Sequence, residues 1–256
     1  MSDPLPGWPR RRSGAPDWLV ATPYCHRGLH GEGRIENSRA AFDAAIAIRH
    51  GIELDVQASR DGRAMVFHDY ELDRLTGETG RVAERTAAVL GGTRLRGSDE
   101  GIATLGEILD LVGGRAPLLI EAKAPDDRVA ALCRDIVRAL EGYAGSAAVM
   151  SFNPEVGGWL RLHAPGLIRG LVVSEQGKRG WRGRIERRLS LWRARPDFLA
   201  CDIRDLPSAF AAGARARGLA ILTWTVRTAA DRGRAALHAD QIIYEAPAVE
   251  PATDRG

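Results

Sequence analysis

At 256 residues, 45% of them apolar and 27% charged, the chain can fill one large core or two small ones, and an α/β barrel commonly has this length. The net charge of +3 rests on arginine, with only Lys123 and Lys178 as lysines; with no aromatic-studded basic motif, nothing argues for a nucleic-acid partner. No run of about 18 apolar residues exists to span a membrane. The N-terminus lacks the apolar core of a secretory signal, and Cys25, Cys133 and Cys201 have no metal-site spacing. The expectation is a soluble cytoplasmic protein with free, mostly buried thiols.

Residues 1–17, rich in Pro, Gly and Arg, read as a flexible tail ahead of a single domain over 18–256. Nine short apolar runs follow: VATPYCH (20–26), GIELDV (51–56), AMVFH (64–68), PLLIEA (117–122), AAVMSF (147–152), GLVVS (170–174), FLACD (198–202), LAILTWTV (219–226) and QIIYE (241–245). Helical periodicity separates most of them. Residues 36–50 have an acidic start and a basic end, with Gly51 as a stop. Thr104 and Glu107 form a capping box before an apolar run closed by two glycines. Positions 129, 132, 133, 136, 137 and 140 make one apolar helical face.

Strand–helix alternation argues for a parallel sheet with right-handed crossovers, and eight or nine strands for closure into a (β/α)₈ barrel. No G-x-G-x-x-G opens a helix after a strand, which disfavours the open dinucleotide-binding alternative. Nine candidates for eight places leave one accessory. The link 57–63, with Asp61-Gly62, is too short for a crossover helix and carries a hairpin signal. Residues 70–103, polar and glycine-rich, read as a small insertion after the third strand.

In such a barrel reactive side chains collect at the carboxyl ends of the strands. That rule gathers His26 and Arg27 from the first run, Glu53 and Asp55 from the second, His68 from the third, and Glu121 and Lys123 from the fourth. Glu53 and Asp55, and likewise Glu121 and Lys123, are two apart and share a strand face. Three facing carboxylates repel, and a hard divalent cation, Mg²⁺ or Ca²⁺ with Mn²⁺ as an alternative, is the simplest resolution. With that cation, Arg27 and Lys123, the charge comes to about +1, suited to one phosphodiester anion. Two histidines supply a general acid and a general base.

CHRG (25–28), ENSRAAF (36–42), ELDVQASRDG (53–62), VFHD (66–69), IEAK (120–123), LDRLTGETGRV (72–82), SF (151–152) and WTV (224–226) together resemble the glycerophosphodiester phosphodiesterase family, in order from about residue 20 to 247. The resemblance implies a TIM barrel that hydrolyses small-molecule glycerophosphodiesters to glycerol 3-phosphate and an alcohol with a divalent metal. It implies that His26 and His68 are catalytic, that Glu53, Asp55 and Glu121 bind metal, and that Arg27 and Lys123 hold the phosphate. Trp224 is expected in the pocket wall, with core packing as the competing role. Asp69, Glu36 and Asn37 are expected to orient these groups. Arg227 stands where the family often has Asn, and Tyr244-Glu245 where a Thr-Asp pair is common. Those positions bear on substrate identity and not on the chemistry. Rival readings are a lysophospholipase D or cyclising phospholipase on the same site, and a silent barrel that binds phosphorylated ligands or membranes. The oligomeric state stays open.

One stretch stands outside this pattern. GKRGWRGRIERRLSLWRAR (177–195) has eight basic residues, one acid and two tryptophans eleven apart, so it could lie on an anionic lipid surface. The favoured expectation is a solvated crossover helix whose apolar side packs on the barrel. His30, His50, His163 and His238 are expected to be structural or surface residues.

Overall fold

The computed structural model describes residues 15–31 and 33–245; most of the expected tail, 1–14, lies outside the described residues. Its strands are β1 (Tyr24–His26), β2 (Gly51–Ala58), β3 (Ala64–Val66), β4 (Leu118–Ala122), β5 (Ala147–Ser151), β6 (Ile168–Val173), β7 (Phe198–Asp202), β8 (Ala220–Val226) and β9 (Gln241–Tyr244). Eight of them run parallel in the order β1-β9-β8-β7-β6-β5-β4-β2, and β1 also pairs with β2, which closes the ring. This is the (β/α)₈ barrel expected from the alternation.

The accessory strand is the third. β3 lies antiparallel on β2, Val56 opposite Val66, after a tight turn in which Gly62 has φ +79° and Ser59 Oγ donates to Asp61 Oδ1 at 2.7 Å. Among the strands β3 pairs only with β2, and the β1–β2 pairing closes the ring without it. It carries residues 67 and 68 down to the level of Asp55, whose carbonyl accepts from Phe67 N at 3.0 Å. His68 therefore reaches the site on the return leg of a hairpin, and not at the carboxyl end of a parallel strand. The insertion that follows builds a small core from Met65, Phe67, Leu72, Val82, Leu90, Leu95 and Ile102.

Alternation along the strands sorts the rest. Leu119, Ala148, Met150, Val172, Phe198, Ala200, Leu222 and Ile243 fill the barrel, whereas Ile52, Leu54, Leu118, Ile120, Val149, Leu199 and Ile221 meet the surrounding helices. Gly170 leaves room inside for Phe198, whose ring would lie 2.3 Å from a β-carbon placed there. Leu19, on the short helix Trp18–Ala21, is buried against the interior cluster. Val20 and Ala21 thus belong to that helix and not to β1.

Two helix expectations need adjustment. The helix Arg39–Ala47 starts later than its acidic residues, because Ser38 is its N-cap (Oγ accepts from Ala41 N at 3.2 Å) and Glu36 lies before it; Gly51 opens β2. The helix Trp181–Ala194 does not lay its apolar side on the barrel. It buries Gly183, Arg187, Leu191 and Ala194 and leaves Trp181, Ile185, Leu189 and Trp192 exposed. The Thr104–Glu107 capping box forms as expected, with Gly113 at φ +54° ending that helix.

Candidate active site

β2 and β4 are neighbours in register, Asp55 beside Glu121, and their inward positions bring Glu53, Asp55 and Glu121 together. They are only 1%, 1% and 7% exposed, and one oxygen from each lies within 4.8 Å of the others. Burial, and then the charges of Asp55 and Glu121, push the Glu53 carboxyl well above the usual range. Glu121 is raised by burial and by Asp55, against the pull of Lys123. For Asp55 burial acts upward too, but the Lys123 and Arg27 charges outweigh it and hold the group at about 2. One acid is firmly ionised, and two resist ionisation beside it.

The cations present neutralise this cluster incompletely. Lys123 Nζ lies 3.0 Å from Asp55 Oδ1 and 2.5 Å from Glu121 Oε1. Those are ion-pair distances, yet both oxygens are buried without a well-directed hydrogen bond. Buried carboxylate oxygens in that state suit a hard cation, which accepts oxygen ligands from broad directions. The donor set fits a Mg²⁺-, Ca²⁺- or Mn²⁺-type ion held by Glu53, Asp55 and Glu121.

The turn after β1 completes this wall. Arg27 and Gly28 have φ of +57° and +79°, and a β-carbon on Gly28 would come within 2.9 Å of Ala41 and Phe42. This turn aims Arg27 N at Glu53 Oε2, to which it donates at 3.0 Å. The Arg27 side chain then places Nε 3.3 Å from Asp55 Oδ2 and donates from Nη1 to Glu36 Oε1 at 2.7 Å. Asn37 clamps Asp55 from both sides: its Nδ2 donates to Oδ2 at 3.0 Å, and its Oδ1 accepts from Asp55 N at 3.2 Å.

Each histidine has one nitrogen committed to a carboxylate that an arginine holds. His26 Nδ1 is 2.7 Å from Glu245 Oε1, and Arg227 donates from Nε and Nη2 to that carboxylate at 2.6 and 2.9 Å. The Nε2 of His26 faces inward, 3.9 Å from Glu53 Oε2. His68 Nδ1 is 2.7 Å from Asp69 Oδ1, and Arg74 bridges Asp69 (2.6 Å) to Glu36 (2.7 Å). Burial lowers both imidazoles toward the neutral form, opposed at His26 by the Glu245 bond and at His68 by the Asp55 charge. Donors of His26, His30 and Glu245 also fall within 4.8 Å of one another, but Glu245 is already satisfied there by Arg227 and His26.

All seven polar residues expected at the site converge on one rim. Two adjoining cavities open there, about 560 and 750 Å³, with His68, Glu121, Lys123 and Phe152 common to both. Trp224 serves both expected roles: it lines the smaller cavity, its Nε1 donates to Ala200 O at 3.0 Å, and its ring meets Phe152 edge-on at 5.5 Å. Arg227 and Glu245, expected from the sequence to bear on substrate identity and not on the chemistry, form one ion pair on His26, which corrects that expectation. Opposite charges at the ends of the last two strands were a usable signal. Arg74 lies in LDRLTGETGRV (72–82), a stretch that carries the family resemblance but assigns no role to it.

The sequence profile of the glycerophosphoryl diester phosphodiesterase family matches residues 26–249. A glycerophosphodiester phosphodiesterase of Caldanaerobacter subterraneus subsp. tengcongensis is 34% identical over 130 residues, 46% of this chain and 53% of that protein. One from Bacillus subtilis is 27% identical over 168 residues, 55% of each. The matches thus span about half the length of these curated relatives. An Oleispira antarctica phosphodiesterase, solved in complex with the product sn-glycerol-3-phosphate, superposes with a TM-score of 0.74 at 21% identity, over 88% of this chain and 94% of that one. In its architecture this chain is a (β/α)₈ barrel. It belongs to the glycerophosphoryl diester phosphodiesterase family.

Proposed function

We propose that the protein hydrolyses glycerophosphodiesters to glycerol 3-phosphate and an alcohol, in a reaction that depends on one divalent cation. The observation that carries this reading is the buried carboxylate trio flanked by two histidines whose partners hold one nitrogen each. Family membership and the product complex of the Oleispira antarctica relative support the substrate class.

When bound by Glu53, Asp55 and Glu121, the cation would stabilise negative charge on the phosphoryl oxygens. Lys123 and the Arg27 guanidinium, which lie against the same carboxylate wall, would hold the anionic phosphate. Glu245 keeps the proton of neutral His26 on Nδ1, leaving the Nε2 lone pair directed at the site. Asp69 does the same for His68. The histidine that acts as base takes a proton at its Nε2 from the nucleophile, a water or the substrate's own glycerol hydroxyl; the other acts in its imidazolium form, with Nδ1–H still held by its carboxylate, and gives its Nε2 proton to the departing alkoxide. Asn37 and Glu36 fix the wall on which Asp55 and Arg27 sit.

The test is product analysis with glycerophosphocholine and glycerophosphoethanolamine after EDTA treatment, with Mg²⁺, Ca²⁺ or Mn²⁺ restored. Cation-restored release of glycerol 3-phosphate is expected. Choline or ethanolamine release only from lysophospholipids would move the assignment to a lysophospholipase D, and a cyclic phosphate as final product to a cyclising phospholipase. The exposed apolar side of the helix Trp181–Ala194 is the observation that favours testing lysophospholipids.

A further inference from the structure

The helix Trp181–Ala194 is polar overall but turns a narrow apolar stripe outward, although Leu191 and Ala194 pack inward. At about 100° per residue, Trp181, Ile185, Leu189 and Trp192 fall within an arc of about 80°. They are 61%, 48%, 60% and 61% exposed. The opposite side, Gly183, Arg187, Leu191 and Ala194, makes the contact with the protein. Gly183 fits there only without a side chain, since a β-carbon would lie 1.9 Å from Lys178 O. Rotating the helix to bury its apolar stripe would therefore turn Gly183 out of the one place that requires it. Arg187 reinforces the orientation through its ion pair with Glu175 at 2.9 Å.

Single exposed apolar residues are ordinary; four in one stripe, two of them tryptophans, are not. The flanks of the stripe are basic. Arg182 lies on one side of it, with its guanidinium 5.3 Å from the Trp181 ring centroid, and Arg184 and Arg188 lie on the other. All three are exposed, and none forms an ion pair among the described residues. Glu186, the one acid of the helix, is taken up by Lys178 at 2.6 Å. The outward face thus presents aromatic and aliphatic groups between uncompensated guanidinium groups. That chemistry matches the headgroup–acyl boundary of an anionic bilayer, where tryptophan sits at the interface and arginine reaches lipid phosphate.

From this we infer that the helix Trp181–Ala194 docks the protein on anionic lipid surfaces through Trp181, Ile185, Leu189 and Trp192, with Arg182, Arg184 and Arg188 contacting the headgroups. The charge complementarity selects a lipid surface over a second copy of this chain, whose identical face would set arginine against arginine. No helix among the described residues is long and apolar enough to cross a membrane, so the contact is peripheral. The inference is independent of the catalytic reading.

Vesicle flotation tests it with the full chain, using phosphatidylcholine vesicles with and without phosphatidylglycerol. The protein is expected to float with the anionic vesicles and to be released as salt is raised through the range that screens surface charge. The triple substitution Trp181→Ser, Leu189→Ser, Trp192→Ser alters only exposed side chains and is expected to weaken partitioning at least about tenfold. Arg182→Gln with Arg184→Gln and Arg188→Gln should abolish the preference for anionic vesicles. A circular dichroism spectrum unchanged from the parent shows that each variant is folded. Absence of flotation, flotation indifferent to the serine substitutions, or a dimer that these substitutions dissociate would each overturn the inference.

Discussion

His26 ends a barrel strand and meets Glu245, 219 residues away in the chain, whereas His68 lies on the return leg of a hairpin and meets Asp69, its immediate neighbour. The first arrangement exists only once β9 has closed against β1; the second needs little more than the β2–β3 turn and Arg74. Burial differs accordingly, with the His26 side chain 11% exposed and that of His68 29%. The two histidines proposed to make complementary proton transfers are thus held by unequal means. The histidine of the long-range arm is the more buried of the two, while the carboxylates differ little, Glu245 at 19% and Asp69 at 23% exposed. At the outer arm a water can replace a lost partner; at the inner arm it has less room.

The largest expected effect removes the comparison altogether. His26→Ala and His68→Ala should each lower turnover by about 10²–10⁴-fold, the usual scale for general acid–base groups. Steady-state kinetics with the cation saturating checks this, and near-parental turnover in both would refute the assignment. A smaller effect separates the two arms. Glu245→Ala is expected to lower kcat by about 10–100-fold with KM little changed, because His26 loses the group that fixes its tautomer and ring. Asp69→Ala should cost less than that. Equal losses would mean that the difference in burial has no mechanistic consequence. Arg227→Ala acts on His26 only through Glu245 and belongs below both. Arg74→Ala touches His68 through Asp69 and Arg27 through Glu36, so its effect should exceed that of Arg227→Ala despite its exposure.

The carboxylate wall has a pH dependence of definite sign. Glu53 and Glu121 are raised in the cation-free protein, so their contribution to stability is fully present below the unfolded carboxyl range and is lost as pH rises through their folded values. Asp55, held at about 2, acts in the opposite sense: its contribution is fully present above the unfolded carboxyl range and is lost only in strong acid, as pH falls through about 2. Cation binding needs Glu53 and Glu121 deprotonated and releases protons from them. The rise in Tm on adding Mg²⁺ or Ca²⁺ should therefore be larger at about pH 8 than at about pH 5, both within reach of differential scanning fluorimetry. A rise independent of pH would contradict protonation of the empty wall.

How much of this was legible in the sequence follows the same division between local and long-range structure. Spacing of two on a strand was enough to pair Glu53 with Asp55 and Glu121 with Lys123, because strand periodicity needs no knowledge of the fold. The barrel followed from alternation, and the capping box at Thr104 from a four-residue pattern. The direction of β3 was harder: AMVFH reads as a strand in either orientation, and only Asp61-Gly62 hinted at the hairpin. The pairing of Arg227 with Glu245 depends on β8 and β9 being neighbours, a tertiary fact. The outward face of the helix Trp181–Ala194 was hidden for a different reason. An amphipathic pattern states that one side is apolar but not which way it faces, and Gly183 and Arg187 set that through contacts with Lys178 and Glu175.

The direct test of the central claim, that Glu53, Asp55 and Glu121 share one divalent cation, is the stoichiometry of Mn²⁺ binding to the EDTA-stripped protein, followed by electron paramagnetic resonance. One ion per chain, with binding lost in Asp55→Asn and competed by Mg²⁺ or Ca²⁺, is the expected result. Absence of bound ion, or binding undiminished in Asp55→Asn, would mean that the buried carboxylates are neutralised by protons, Lys123 and Arg27 alone, and the cation-dependent mechanism would fall with it.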